Sequence, residues 1–543
     1  MTISYRWLSE YLPQTVRPEE LSNILTSIGL EVESLENFEN FKGGLAGLVV
    51  GEVLEVIPHP NADKLKLTKV DTGGAAPLGI VCGASNVMVG QKVVVAVVGT
   101  TIYPKGKEPM TMKLAKIRGE QSEGMICAED EIGVSDDHAG IIVLDAGIKA
   151  GTPVAEIYEY YQDWIYEIGL TPNRMDAMSH YGVAKDVCAY LSYHNSPVSA
   201  VSPFTQNLEH DTSVGPFKVL IEDEKACARY SGLVIEGVTV KESPTWLKNR
   251  LQAIGVRSIN NIVDITNYIL HETGQPLHAF DASEIKDNTV VVKKYPADTL
   301  FVTLDGTERK LTVQDLMISD FEKPLCIAGV FGGLKSGVKE STTSLFLESA
   351  WFENVHIRKT SVHHSLRTDA ATRFEKGVDI AGTVLVLERA AQMIQEMAGG
   401  KCSEVVDMYP HPVEKTKVTL TYAYLKKLSG KVYPADKVKI ILTSLGFEII
   451  KETAESIEVA VPYHKPDISI PADIVEEVLR IDGLDNIAIP SSITISPSID
   501  PLEQSEKFKE KVANFLVGRG YTEILTNSIT NSAYFSEEVM QSA

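Results

Sequence analysis

The stretch from Arg257 to Asp281, RSINNIVDITNYILHETGQPLHAFD, gathers Asn260, Asn261, Asp264, Thr266, Asn267, His271, Glu272, Gln275 and His278 among apolar residues. Lysines and glutamates here would mark a solvated helix face. Short amides, hydroxyls and imidazoles suit a recognition pocket better, and on pattern alone both readings stay open. A second group, Asp467, Asp473, Glu476 and Glu477, brings four carboxylates within eleven positions. Such a set suits a hard, oxygen-seeking cation such as Mg2+. It equally suits a charged helix face with acids near the N-terminus, and spacing alone favours that face. Asn173, Arg174 and Asp176 form a tight polar cluster, read as hydrogen-bonded structure. No serine or cysteine is paired with a general base, so attack by a positioned water is the expected chemistry.

The elements that must hold these residues follow from periodicity. Ile262, Val263, Ile265, Ile269 and Leu270 fit one buried helical face, which predicts a helix over 260–272. Gly274 is placed to end it, Pro276 cannot continue it, and His278 falls on a short extended segment beyond. Ile474, Val475, Val478, Leu479 and Ile481 likewise predict a helix, with Asp473, Glu476, Glu477 and Arg480 on its other side. Residues 1–40 read as two short helices, the second starting at Pro18-Glu19-Glu20 and ending at Gly29. Residues 41–152 change to β-rich runs punctuated by Gly, Pro and Asn, which suggests a small barrel of the OB type. Its Lys64, Lys66 and Lys69 lie near one hairpin, with Lys113, Lys116 and Arg118 further on. Any one of them reads most simply as surface lysine or arginine. His59, lacking a second ligand at metal spacing, reads as turn structure. Residues 153–195 return to mixed helix, 196–209 form a polar linker, and 210–400 alternate strands and helices. Residues 410–487 are another small α/β unit. From 488 the pattern is helix, glycine stop, strand. GGLKSG lacks the spacing of a phosphate loop.

The totals set bounds. A chain of 543 residues is several domains. The 44% hydrophobic content is ordinary, no apolar run nears bilayer length, and MTISYRWLSEYL lacks a signal-peptide layout. Six singly spaced cysteines suggest neither disulfides nor zinc, and a reducing cytoplasm fits. A net charge of -22 argues against general nucleic-acid binding, and predicts that any RNA is gripped in few places or with a partner's help.

The 257–281 stretch does not stand alone. HPNADKL (59–65), VCGASN (81–86), RGEQSEGMICAEDEIG (118–133), LTPNRMDAMSHYGVAKDV (170–187), GVFGG (329–333), FLESAWF (346–352), RTDAATRFEKGVD (367–379) and DIVEEVLRIDGLDNI (473–487) follow in chain order. Over nearly the whole chain this succession resembles the beta chain of bacterial phenylalanyl-tRNA synthetases.

The resemblance implies a multidomain α+β protein. An OB-fold tRNA-binding barrel (41–152) would be inserted in a helical N-terminal module (1–40 and 153–195). An editing domain (210–400), a small α/β domain (410–487) and the start of a class II catalytic-like module (488–543) would follow, and the chain would stop at QSA before that module is complete. The Arg-x-Glu of RFEKG imitates a class II ATP motif but by the resemblance lies in the editing domain, so no ATP role is expected. The implied function is hydrolysis of tyrosyl-tRNA(Phe), within a heterotetramer of two alpha and two beta chains that makes Phe-tRNA(Phe) from ATP, phenylalanine and tRNA. A hydrophobic pocket rejects an added hydroxyl by only ~10²-fold, so a second, hydrolytic site is useful. By the resemblance Glu348 accepts the tyrosine hydroxyl. His278, Asn267, Thr266 and Arg257 would hold the ester, the terminal adenosine and the water, assisted by the tRNA's terminal hydroxyl. Gly329, Gly332, Gly333 and Thr368 would shape the wall. Lys64, Lys66, Lys69, Lys113, Lys116 and Arg118 would touch tRNA. Asp467, Asp473, Glu476 and Glu477 would hold Mg2+ at the contact with the alpha chain. Two other classes compete: a tRNA-binding assembly scaffold, and a free-standing deacylase. The acidic 467–477 set favours the heteromer, and the intact 257–348 set opposes a pure scaffold.

Overall fold

The computed structural model describes residues 1–104, 106–135, 137–204, 208–492, 495 and 503–535. Residues 205–207 of the expected linker, and the final QSA, lie outside the described residues. The chain is a multidomain α+β protein that divides into two units, Met1–Ile487 and Ala488–Ala543.

In the N-terminal module Ser4 caps α1 (Tyr5–Ser9), its Oγ accepting from Trp7 N at 3.1 Å. Pro18 opens α2 (Pro18–Ser27), whose Leu21, Ile24 and Leu25 are buried. The helical reading of residues 1–40 missed a strand, Glu31–Glu39. Its sequence, EVESLENFE, is too acidic to look like a strand, because no residue along it is fully buried. It pairs with Gln162–Gly169, which in turn pairs with Thr2–Ser4. Asn40 N donates to Tyr161 O at 3.0 Å, so the 120 residues between leave and return at one point.

Those residues form a six-stranded antiparallel sheet. Strand Lys92–Val97 is central, and its alternate residues serve two apolar clusters: Val94 and Ala96 pack with Leu48 and Val50, Val93 and Val95 with Val53 and Val70. The sheet rolls until its edges meet, Glu123 N donating to Gly79 O at 2.8 Å and Val81 N to Ser122 Oγ at 3.1 Å. His59 is turn structure: Nδ1 accepts from Asn61 N (3.0 Å), leaving Nε2 to donate to Ile117 O (3.2 Å).

The chain returns through α3 (His180–His194). The module expected at 210–400 holds two five-stranded sheets, one of which takes in Lys401–Cys402 and Val406–Met408 from beyond that bound, around a core of Phe217, Tyr230, Phe280, Phe346 and Phe352. One sheet carries Leu277–Asp281, Ser344–Phe352 and Cys227–Glu236 side by side. Five helices surround them: α4 (Thr245–Ala253), α5 (Asn261–Thr273), α6 (Asn354–His364), α7 (Asp369–Lys376) and α8 (Thr383–Ala398). The small domain packs α9 (Tyr422–Ser429), α10 (Ala435–Ser444) and α11 (Pro471–Asp482) around three strands. The second unit contributes α12 (Glu503–Gly518). The strand expected beyond its glycine does not form among the described residues 521–531.

Candidate functional site

Helix α5 begins one residue later than its pattern predicts because Asn260 serves as its cap, Oδ1 accepting from Ile262 N (3.1 Å) and Val263 N (3.0 Å). Gly274 ends it in the left-handed conformation, φ 86°. The helix is a shared wall. Its Tyr268 stacks on Trp7 at 4.3 Å, and Glu272 accepts from Tyr11 OH at 2.7 Å, which fastens it to the N-terminal module. Trp7 also stacks on His180 (4.0 Å), whose Nδ1 donates to His271 O and whose Nε2 accepts from Ser4 N.

The other side of α5 borders a cavity of about 280 Å3. Thr266 and Asn267 line it, with His278, Gly329, Gly332, Glu348 and Thr368. Leu277–Asp281 pairs with Ser344–Phe352 so that His278 and Glu348 are directly opposed. His278 Nε2 is buried and unpartnered, and burial pulls the imidazole down to about 4, so it is neutral at pH 7. Glu348 is 5% exposed. Burial pushes its carboxyl up to about 7, against the pull of a 2.7 Å hydrogen bond donated by Tyr230 OH to Oε2. Among the described residues Oε1 has no such partner and remains able to accept one donor. Thr368 caps α7, accepting from Ala371 N (3.0 Å), and donates to Val330 O (2.9 Å), tying that helix to the glycine-rich turn.

Two of the sequence-derived residues stand elsewhere. Arg257 is exposed on the loop between α4 and α5 and does not line the cavity. Gly333 is also outside the lining; a Cβ there would meet Leu325 O at 2.4 Å, so its glycine serves chain packing. Gly329 and Gly332 line the cavity, yet their missing Cβ atoms make room for protein. A Cβ on Gly329 would lie 2.8 Å from Phe374, and one on Gly332 3.0 Å from His278 Cε1. Tyr230, which holds Glu348, was not found from sequence, since nothing in CARYSGLVIE marks it and only strand pairing brings it there. Cys326 also lines the cavity, but burial raises its thiol far above the ordinary range and Sγ donates to Phe331 O, so it is no nucleophile.

The carboxylates at 467–477 do not gather as expected. Among the described residues no three acidic, histidine or cysteine side chains are placed to hold one metal ion. Asp473 accepts from Ser469 N (2.8 Å) and Ile470 N (2.9 Å) at the start of α11, Asp467 accepts from Asn173 Nδ2 (3.2 Å), and Glu476 is exposed. Glu477 turns inward to Arg480 (2.6 Å) and Lys465 (3.0 Å). Burial opposes its ionisation, but the two cations outweigh it and hold its pKa at about 2. Arg480 and Lys465 continue to Asp186 and Asp176, where Arg174 completes the network. The polar cluster at 173–176 thus joins α3 to the small domain. A carboxylate already shared by two cations is a poor ligand for Mg2+, and the set does not fit that ion here.

In the rolled sheet Lys66 donates to Ser85 O (3.1 Å) and Val87 O (3.2 Å), and Lys69 pairs with Glu55 (2.6 Å). Lys64, Lys113, Lys116 and Arg118 are exposed. No helix among the described residues is long and apolar enough to cross a membrane.

Comparison with known proteins matches three domain families: a putative tRNA binding domain at 48–153, a B3/4 domain at 226–399 and a tRNA synthetase B5 domain at 418–484. The phenylalanine--tRNA ligase beta subunit of Bacteroides fragilis is 49% identical over 98% of this chain and 65% of its own length. That of Porphyromonas gingivalis is 48% identical over the same shares, and that of Salinibacter ruber 43% identical over 97% and 64%. The chain therefore spans about 65% of the length of these relatives. The rolled sheet, the cavity module and the small domain each fall where one of the three domain families matches, and the chain belongs to the family of phenylalanine--tRNA ligase beta subunits.

Proposed function

We propose that this chain is the editing and tRNA-binding part of a cytoplasmic phenylalanine--tRNA ligase, joined to a catalytic alpha subunit that makes Phe-tRNA(Phe) from ATP, phenylalanine and tRNA(Phe) in a two-alpha, two-beta assembly. Its own chemistry is hydrolysis of tyrosyl-tRNA(Phe) in the cavity between α5 and the Leu277–Asp281 strand. The observation that carries this reading is the Glu348 carboxyl: buried, held by Tyr230 through one oxygen, and left with the other for a donor. A tyrosine hydroxyl supplies that donor. Phenylalanine leaves a buried acceptor unpaired, which costs roughly 1–3 kcal/mol.

In the reaction a water oxygen bonds to the ester carbonyl carbon, the bond to the ribose oxygen breaks, and the proton passes to that oxygen. His278 Nε2 is free to hydrogen-bond the water or ester. A pKa of about 4 makes His278 a weak base, so it orients while the tRNA's neighbouring hydroxyl assists transfer. Thr266, Asn267 and Thr368 hold the ester and terminal adenosine, while Arg257, exposed on the loop before α5, lies outside the cavity lining. The rolled sheet contacts tRNA through exposed Lys64, Lys113, Lys116 and Arg118. Lys66 is turned to Ser85 O and Val87 O, and Lys69 pairs with Glu55 at the surface. Magnesium enters this reading as a property of the ligase family, and of the carboxylates expected to hold it Glu477 is paired with Lys465 and Arg480.

The test is hydrolysis of tyrosyl-tRNA(Phe) against phenylalanyl-tRNA(Phe), by the chain with its full-length alpha subunit, with His278→Ala as control. Tyrosine-selective hydrolysis that falls in the variant supports the reading. Equal hydrolysis of both, or none, overturns it.

A further inference from the structure

Exposure rises across the cavity beside α5. Glu348 is 5% exposed, His278 is half-buried and Leu304 is 45% exposed. The other apolar side chains of the lining, Leu270, Pro276, Val330 and Phe374 among them, are buried or half-buried. Leu304 therefore stands at the mouth, close to the imidazole. A Cβ on Gly332 would lie 2.8 Å from Leu304 Cδ1 and 3.0 Å from His278 Cε1, so the two side chains flank one glycine. A lone exposed leucine needs no explanation. This one is held in place by its turn and continues into a wider apolar surface.

Leu304 lies in the turn between two paired strands, Leu300–Val302 and Glu308–Lys310. Asp305 Oδ1 accepts from Thr307 N (3.1 Å), and Arg309 donates to Thr303 Oγ1 (3.1 Å), Asp305 Oδ2 (3.0 Å) and His364 O (2.7 Å). Leu304 N donates to Gly332 O at 3.0 Å and Leu334 N to Val302 O at 3.1 Å, which fastens the hairpin to the glycine-rich turn. Along the first strand Phe301 points inward, while Leu300 and Val302 point out to solvent. Leu334, also exposed, adjoins Val302, so apolar surface runs on from Leu304 beyond the cavity. Cavities that enclose a small-molecule ligand hold roughly 300–1,000 Å3. At about 280 Å3 this one is too small to enclose a whole tyrosyl ester of adenosine. With the phenol at Glu348 and the ester at His278, the base is left at the mouth.

We propose that Leu304, with Val302 and Leu334 beside it, is the platform on which the adenine of the terminal nucleotide lies. A purine has an apolar face and a polar edge. The face covers the aliphatic surface, and the edge stays in water. Thr266, Asn267 and Thr368 offer hydroxyls and an amide to the ribose and ester, but no surface to a ring. Leu304 is a binding residue: it exchanges no proton, and holding the base fixes how the ester meets His278. This role rests on the hydrolase reading and concerns the part of that substrate which the cavity does not enclose.

Calorimetry of this chain with two unhydrolysable amides tests it. One is 3′-tyrosylamino-3′-deoxyadenosine, and the other carries the same amide on a ribose without a base. The parent should bind the adenosine compound about tenfold more tightly than the base-free one. Leu304→Ser should bind both alike, at the parent's affinity for the base-free compound, and Leu304→Met should restore the difference. Glu348→Gln should weaken both compounds equally and leave the difference intact. If Leu304→Ser fails to fold, the double variant Val302→Ser, Leu334→Ser, altered only at exposed positions, should reduce the difference to about threefold. An undiminished difference in both of these variants overturns the proposal, as does a parent that binds the two compounds alike. Equal weakening of both compounds by Leu304→Ser overturns it too, since the leucine then touches the aminoacyl part. A parent that binds neither compound overturns the hydrolase reading and this role with it.

Discussion

His278 and Glu348 face each other as direct partners on two antiparallel strands, and burial has moved their titrations in opposite senses, to about 4 and about 7. Unfolded, they would titrate near ~6.5 and ~4.3. Between those limits the folded chain binds fewer protons than the unfolded one at His278, so that group's contribution to stability grows as pH rises. At Glu348 it binds more, so that contribution shrinks as pH rises. The two slopes nearly cancel. Glu348→Gln should expose the histidine slope, gaining about 2 kcal/mol between about pH 5 and 6.5, and His278→Ala should expose the reverse between about pH 5 and 7. Denaturant titrations at those pH values check this. Slopes of one sign in both variants would show that the groups do not titrate as a buried pair.

Tyr230→Phe should leave the fold in place and move function. A hydrogen bond to a charged group is worth ~1.5–3 kcal/mol, so losing it should raise the Glu348 titration by roughly 1 pH unit. The ratio of tyrosyl to phenylalanyl ester hydrolysis, which should rise with pH through about 7 in the parent, would rise later in the variant. A profile unchanged in midpoint would remove Tyr230 from the site.

Gly332→Ala should act like a mild His278 variant. Its Cβ would lie 2.8 Å from Leu304, a half-exposed side chain that can yield, and 3.0 Å from Cε1 of the half-buried His278 ring. A destabilisation of ~1–3 kcal/mol with reduced hydrolysis of tyrosyl-tRNA(Phe) is expected. Full activity would mean that the ring has room to move.

Glu477→Ala should cost ~3–5 kcal/mol, because Lys465 and Arg480 are left buried with one carboxylate fewer. Its pKa in the folded chain, about 2, lies below the unfolded ~4.3, so the stabilisation is present above about pH 4.3 and fades as pH falls toward 2. Melting curves with and without magnesium decide its role. A magnesium-dependent rise in melting temperature that vanishes in the variant would make Glu477 a ligand after all.

The helix at 261–273 was legible because its signals are local, one apolar stripe and a glycine stop, while its cap Asn260 read as the first helical residue. Seven of the residues lining its cavity were named through the resemblance. What sequence could not supply is pairing over distance. Tyr230 and Glu348 are 118 positions apart and meet only once two strands are in register. Glu477 reads as one more acid on a polar helix face, because its partner Lys465 precedes the helix and Asp186, the next link, is almost 300 positions away. Arg257 sits beside the cavity helix in sequence, but the loop turns it outward.

The pairing of Asn40 with Tyr161 bears on how the chain assembles. Strand Glu31–Glu39 has no partner until Gln162–Gly169 exists. Closing so long a flexible loop carries an entropic penalty that grows with its length. Once the rolled sheet has folded, however, its own structure draws its entry and exit together, and the distant strands meet as if joined by a short turn. A host that closes around an already folded insert carries less of that penalty. A lesion that slows the sheet would delay a module it barely touches.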